Sequence, residues 1–346
     1  MMSGDSNIPD WIRGDGPDSD IVISTRARLA RSLGSYPFPS RACGEDLIMV
    51  VREVRAASTG LANRFPRLKS LNIDKLSIEE RDFLLDSHVA SVEQLQGGEG
   101  KVVILDPSAS LSIMINEEDH IRLQSIMSGL VPEKAWELVD WADDVLSSKL
   151  DYGYSKRYGY LTASVTNVGT GLRVSVMMHL AGLALKNRLN AQLRAAYDLG
   201  VSIRGMYGEG SRLLGDLFQV SNEVTLGVSE REIVERVRSV AQYILREERA
   251  ARKELLDDEK SHLIEMASRS LRTLQGARSI SPEQAITLMS PLRLAASLGL
   301  IKNCSHSLFN ELLVGMRVGT GEEHNNSIER AALMRDELAQ LHIILS

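Results

Sequence analysis

The chain has 346 residues, 43% hydrophobic and 25% charged, which suits a large globular domain plus a smaller one, each with an adequate core. A net charge of −6 and a pI near 5.7 speak against a general nucleic-acid binder, whose surface would be basic. No apolar run approaches the roughly 18 residues of a membrane span. The acidic start "MMSGDSNIPDWIRGDGPDSD" lacks the apolar core of a secretory signal, and Cys43 and Cys304 lie too far apart to form a framework, so a cytoplasmic protein is expected.

In chain order, the first 20 residues read as an irregular lead-in rich in Gly, Pro and Asp. "IVISTRAR" then alternates, with Ile21, Ile23, Thr25, Ala27 and Leu29 on one face and Ser24, Arg26 and Arg28 on the other, as a half-buried strand requires. "EDLIMVVREVRAAS" predicts a helix, and Ser77 with Glu80 forms the capping box of another. "KVVILD" and "LSIMIN" predict a hairpin, followed by a helix over 133–150. "YGYLTASVTNVGTGLR" reads as a strand entering a Gly-Thr-Gly turn, and "VSVMMHLAGLALKNRLNAQLRAAYDLG" as an apolar helix after it. "VSIRGMYGEGS" and "LFQVSNEVTLG" look like a further strand pair. From Ser229, capped by Glu232, residues 229–275 hold neither Gly nor Pro, and Ile233, Val237, Val240 and Ile244 mark a buried stripe. Such a run is long for one globular helix, so a break is expected near residue 258, and "SPEQ" at Ser281 opens another helix. The expectation is an α+β unit over 1–255, an antiparallel sheet flanked by helices, then an all-helical unit over 256–346.

Common nucleotide-binding and kinase-loop signatures are missing, and none of the seven histidines has a second within four positions. Cys304 and His306 make only a weak metal pair. Two features stand out. "NEEDHIR" gathers Glu117, Glu118, Asp119, His120 and Arg122 behind a strand, as a solvated turn or as carboxylates awaiting a cation. Arg26, Arg28, Arg122, Arg173 and Arg204 are ordinary surface cations singly, but together could cage a polyphosphate through bidentate forks. A helix start after Gly-Thr-Gly would add N–H donors for an anion.

"DIVISTRARLARSL", "INEEDHIRLQ", "GYLTASVTNVGTGLR" and "RGMYGEGS" together resemble, in order, the motifs of the ATP:guanido phosphotransferases. The chain is most similar within them to the bacterial protein-arginine kinases of the McsB type, given its short lead-in and helical extension. The resemblance implies ATP and Mg²⁺ as cofactors. It implies phosphate contacts from Ser24, Thr25, Arg26, Ala27 and Arg28, and from Arg122, Arg173 and Arg204, with His88 as a further ATP contact. Val174, Ser175, Val176 and Met177, and Gly205, Met206, Tyr207, Gly208 and Glu209, would complete the pocket. Glu118 matches the catalytic glutamate and Glu209 a second carboxylate used with arginine.

Two departures stand beside this likeness. Ser164, followed by Val165, replaces the family's Cys-Pro, whose thiolate lies beside the guanidinium. The phosphoarginine-binding Arg-Asp-x-x-Arg-Ala motif reads "NSIERA", keeping Arg330 and Ala331 but with Asn326 and Ser327 in front. The resemblance implies protein substrates bearing exposed arginine, a link to a Clp-type protease and a homodimer, and the extension's apolar stripe of Leu263, Ala267, Leu271 and Leu274 would be exposed by truncation if it packs between chains. A catalytically weak ATP- or phosphoarginine-binding adaptor and a small-molecule guanidino kinase remain as alternatives.

Overall fold

The computed structural model describes residues 9–205, 214–315 and 323–344, with side chains from 327 onward in the last stretch. The chain runs through β1 (Val22–Arg31), α1 (Gly44–Ser58), β2 (Lys69–Asn72), α2 (Ile78–Asp86), α3 (Val92–Leu95), β3 (Val102–Leu105), β4 (Leu111–Ile115) and β5 (Ile121–Ser128). It continues through α4 (Pro132–Ser147), the short pair β6 (Tyr154–Ser155) and β7 (Gly159–Tyr160), β8 (Leu172–His179), α5 (Ala181–Leu185), α6 (Leu189–Asp198), β9 (Val201–Gly205) and β10 (Leu217–Asn222). The C-terminal part is helical: α7 (Glu230–Asp258), α8 (Lys260–Gly276), α9 (Pro282–Ser297), α10 (His306–Gly315) and α11 (Glu323–Leu338), with a small ribbon of β11 (Ile301–Lys302) and β12 (His342–Ile343). Among the described residues no helix is long and apolar enough to cross a membrane.

Eight strands form one antiparallel sheet in the order β2-β3-β4-β5-β1-β8-β10-β9, so the arginine-bearing strand is central, paired on both edges. Its two faces are covered differently. Ala27, Leu29, Leu123, Val174, Val176 and Val220 point into a core shared with α1, α4 and α7. On the opposite face, Val103, Leu105 and Met114 are covered by Leu84 of α2 and by Val89 and Leu95. At another edge of that face, Ile126 and Leu217 are covered by the C-terminal helices. Between these two covers lies the strip carrying the arginines.

The expected capping boxes are present: Ser77 Oγ accepts from Glu80 N at 3.2 Å and Ser229 Oγ from Glu232 N at 3.3 Å. The long helical run breaks at Glu259, where φ of −130° ends the α-helical series. Three expectations need correction. The stretch after Gly-Thr-Gly opens with strand β8 rather than a helix, because Leu172, Val174, Val176 and Met178 are each 0% exposed on a period of two. The turn itself is real: Gly171 has φ +64° and a Cβ there would lie 2.6 Å from Ala30 O, so only glycine fits. Second, the lead-in, irregular apart from a single turn over 10–13, is anchored from residue 9 onward. Trp11 and Ile12 are buried among the C-terminal helices, and Trp11 Nε1 donates to Ser87 O at 3.1 Å, strapping both covers together. Third, Leu263, Ala267, Leu271 and Leu274 are buried within the one chain. They are not left for a second copy.

The strap therefore bears weight. Trp11→Ala should lower unfolding free energy by about 3–5 kcal/mol in urea titrations, as large-to-small core changes do, whereas a loss below about 1 kcal/mol would make the strap peripheral.

Candidate functional site

Antiparallel register places directly paired side chains on the same face. Arg26 pairs with Ile126 and Ser175, and Arg28 with Gln124 and Arg173. Ala30, on the same face of β1, pairs with Arg122. Met177 pairs with Gln219, which pairs with Arg204. All five arginines thus lie on one face of the sheet, although they come from four strands. Ser24, Arg26, His88, Ile126, Ser175, Met177 and Gln219 line a cavity of about 150 Å³ there.

Thr25, Ala27, Val174 and Val176 face away. Thr25 Oγ1 donates to Gly129 O at 2.6 Å, and the other three sit in the helix-covered core. The expected contiguous stretches 24–28 and 173–177 therefore contribute side chains from alternate residues only. Arg173 stands in β8, so no helix N-terminus adds donors beside it. Arg204 and Gly205 end β9. Met206, Tyr207, Gly208 and Glu209 lie outside the described residues.

The electrostatics of this face are one-sided. Among the described residues, neither Arg26 nor Arg28 has a hydrogen bond or an ion pair. Burial, then the charges of Arg122 and Arg173, pulls the Arg26 guanidinium down to about 10. Burial, then Arg26, Arg122 and Arg173, holds Arg28 well below its ordinary value, with Glu117 opposing. Arg173 is lowered by burial and Arg204, and its Nε is buried with no partner. Among the described residues the anionic relief is peripheral: Glu223 stands 3.6 Å from Arg204, and Glu117, paired with Arg122, also opposes the lowering at Arg28. His88, held at φ +57° and tilted against Trp11 with ring centroids 5.4 Å apart, is pulled down to about 4 by burial and Arg26, so it offers a neutral ring at pH 7. A fold that gathers five cations in a partly desolvated strip, and leaves Arg26 and Arg28 without an ion pair among the described residues, is built for an anion.

The acidic turn resolves into separate roles. Glu117 is the buried partner of Arg122 and also accepts from Ser91 Oγ at 2.5 Å. Asp119 is structural: its Oδ1 accepts from Ser32 Oγ at 2.8 Å and Ala163 N at 2.7 Å. His120 Nδ1 accepts from Leu33 N at 3.0 Å, leaving Nε2–H to donate to Pro37 O at 2.9 Å, so it is a neutral structural ring. Only Glu118 is exposed. Its carboxyl is raised above the ordinary value, first by desolvation and then by Asp119, with Arg122 opposing. The bond from Ala163 to Asp119 brings half-buried Ser164 to the same corner, its Oγ 2.9 Å from Thr166 Oγ1.

Sequence reasoning missed Gln219 and Ser221, the latter accepting from Arg173 Nη2 at 3.3 Å. The alternation of Gln219, Ser221 and Glu223 in "FQVSNE" carried that signal. It also grouped Glu117 with Glu118, whereas the ion pair separates them.

Residues 49–251 match the family model "ATP:guanido phosphotransferase, C-terminal catalytic domain", and residues 260–343 match "Protein-arginine kinase McsB C-terminal domain". The chain belongs to the ATP:guanido phosphotransferase family. Its reaction class is accordingly ATP-dependent phosphoryl transfer to a guanidino group. The chain is 42% identical over 311 residues to the protein-arginine kinase of Halothermothrix orenii, covering 90% of this chain and 88% of that one. It is 41% identical over 343 residues to that of Pelotomaculum thermopropionicum, covering 96% of each. The fold is shared with lombricine kinase, at TM-score 0.59 and 23% identity over 72% of this chain and 73% of that chain. It is also shared with a duplicated taurocyamine kinase from Schistosoma mansoni, at TM-score 0.60 and 23% identity over 73% and 38%.

Removing one cation from this strip should act oppositely on stability and binding. Arg28→Met should raise the melting temperature without nucleotide, because repulsion falls. It should also weaken ATP binding by about 1.5–3 kcal/mol, roughly ten- to a hundredfold, in calorimetric titration. An unchanged ATP affinity would contradict the assignment of this face.

Proposed function

We propose that the chain is a protein-arginine kinase, moving the γ-phosphoryl group of ATP to arginine side chains of proteins. The observation that carries this reading is the arginine strip with two unpaired guanidiniums, adjoining, through the Arg122–Glu117 ion pair, an exposed carboxylate at Glu118. The names of the relatives and the C-terminal family match support the protein acceptor.

In this reading Arg26, Arg28, Arg122, Arg173 and Arg204 hold the phosphates and spread the charge of the phosphoryl group in flight, where most catalysis of such transfers arises. Ser24, Ser175, Met177 and His88 shape the same pocket. The backbone of Thr25, Ala27, Val174 and Val176 fixes the register of the arginines. Glu118 orients the acceptor guanidinium. As its nitrogen bonds to the γ-phosphorus and the bridging oxygen leaves with ADP, the released proton passes to Glu118, whose raised pKa makes it the better base. Glu209 is the second acceptor carboxylate expected from the resemblance. Among the described residues no three His, Cys, Asp or Glu side chains gather to hold a metal. Mg²⁺ would be carried with the nucleotide, on its phosphates and waters, and would supply charge neutralisation there. The same reading takes residues 1–255 as the catalytic unit and 256–346 as a helical dimerisation and regulatory unit. It makes the chain a cytoplasmic homodimer that marks proteins for a Clp-type protease. The dimer surface would lie away from the stripe of α8, which is already covered.

Incubation with Mg-ATP and an arginine-rich protein tests the reading: acid-labile phosphoarginine should form, and Glu118→Gln should abolish it while ATP binding persists. Phosphoarginine formed at the parent rate by Glu118→Gln would remove Glu118 from the chemistry.

Ser164→Cys should raise the rate. A thiolate about 4 Å from the guanidinium is worth up to about 4 kcal/mol at an effective dielectric near 20, of which only the part gained in the transition state counts. An increase of about ten- to a hundredfold is expected, growing with pH as the thiol ionises near about 8.5. If neither protein forms phosphoarginine while both bind ATP, the adaptor alternative replaces the kinase.

A further inference from the structure

Two segments bonded to the acidic turn carry exposed apolar side chains for which phosphoryl transfer alone has no use. On one side, the 2.7 Å bond from Ala163 N to Asp119 ties residues 161–165 next to Glu118. In that segment Leu161 and Val165 are 37% and 86% exposed. On the other side, Ser91 Oγ bonds Glu117 at 2.5 Å and so fixes the start of α3, where Val92 is 49% exposed. Each of these apolar residues lies one or two positions from a residue bonded to the acidic turn, which keeps its backbone within roughly 15 Å of that of Glu118.

The exposed side chains are held out by anchored backbone. Thr162 Oγ1 donates to Ser164 O at 2.8 Å, and the single Thr225 O–H is shared between Val168 O at 2.8 Å and Thr166 O at 3.0 Å. Single exposed apolar residues are ordinary, but a cluster bordering a charged site marks a recognition surface. The centre of this one is anionic. Glu118 feels Asp119, Glu117 and Glu93; among the described residues Arg122 opposes them, and it is already paired with Glu117. Charge complementarity therefore selects a cationic side chain for the centre, and the rim selects apolar neighbours on the same molecule. A free guanidino compound could fill the centre but could not reach the rim. An extended polypeptide advances about 3.3 Å per residue, so positions two or three away from an inserted arginine meet the edges.

We propose that Val92, Leu161 and Val165 form a docking rim for an extended polypeptide segment whose arginine is flanked by apolar side chains. The proposal rests on Glu118 as the acceptor carboxylate. It deepens that reading by giving the class of protein segment the site takes.

The test uses two labelled peptides with one central arginine, flanked by Leu and Val in one and by Ser in the other. Binding to the full chain is read by fluorescence anisotropy without ATP, and phosphoarginine formation with Mg-ATP gives KM. The apolar-flanked peptide should show Kd and KM about tenfold lower, as partial burial of one or two aliphatic side chains gives. In a Leu161→Ser, Val165→Ser double variant that ratio should fall towards one. Equal affinities for the two peptides on the parent chain, or a preference that survives in the double variant, would overturn the rim. A binding preference that the double variant loses, with no phosphoarginine formed from either peptide, would uphold the rim and overturn the kinase reading instead.

Discussion

Everything in the site depends on one repulsion: Arg26 and Arg28 stand two residues apart on the central strand, half-buried, with no direct ion pair among the described residues and with Glu117, itself paired to Arg122, opposing it at Arg28. Burial opposes charge, and Arg122 and Arg173 oppose it further. The rest of the fold keeps the arrangement from relaxing. β1 is paired along both edges, its other face is locked in a core with α1, α4 and α7, and the strip is walled by two helical covers. A polyanion supplies what the protein withholds, so its binding energy is largely prepared before it arrives.

The acceptor half follows the opposite logic. Its carboxylates are sorted by partner, with Glu117 and Asp119 committed to Arg122 and to backbone and hydroxyl donors, and Glu118 left at the surface. One ion pair joins the halves. A guanidinium at Glu118 thus lies beside the arginine strip without sharing its counter-charge, which lets the donor and acceptor sites keep opposite potentials at short range.

Much of this was legible in the sequence, for physical reasons. The alternation of residues 21–29 placed Arg26 and Arg28 on one face because a strand has a side-chain period of two. Capping boxes at Ser77 and Ser229 announced helices because their reciprocal bonds are local. The strand β8 was misread because Met177 on its open face is as apolar as Val174 and Val176 on its closed one, which erases the alternation. Trp11 and Ile12 were missed because their partners come from the far end of the chain, and no local pattern records such packing. Convergence of the five arginines was likewise hidden: it is a property of strand register across four strands, and the motif resemblance, rather than spacing, pointed to it.

The most direct measurement compares ligand-induced stabilisation by ATP and by adenosine in thermal unfolding of the unaltered chain. If the uncompensated arginines dominate the site, ATP should raise the melting temperature with increasing concentration, the rise should shrink with added salt, and adenosine should leave it nearly unchanged. Equal stabilisation by adenosine, or none by ATP, would contradict the account.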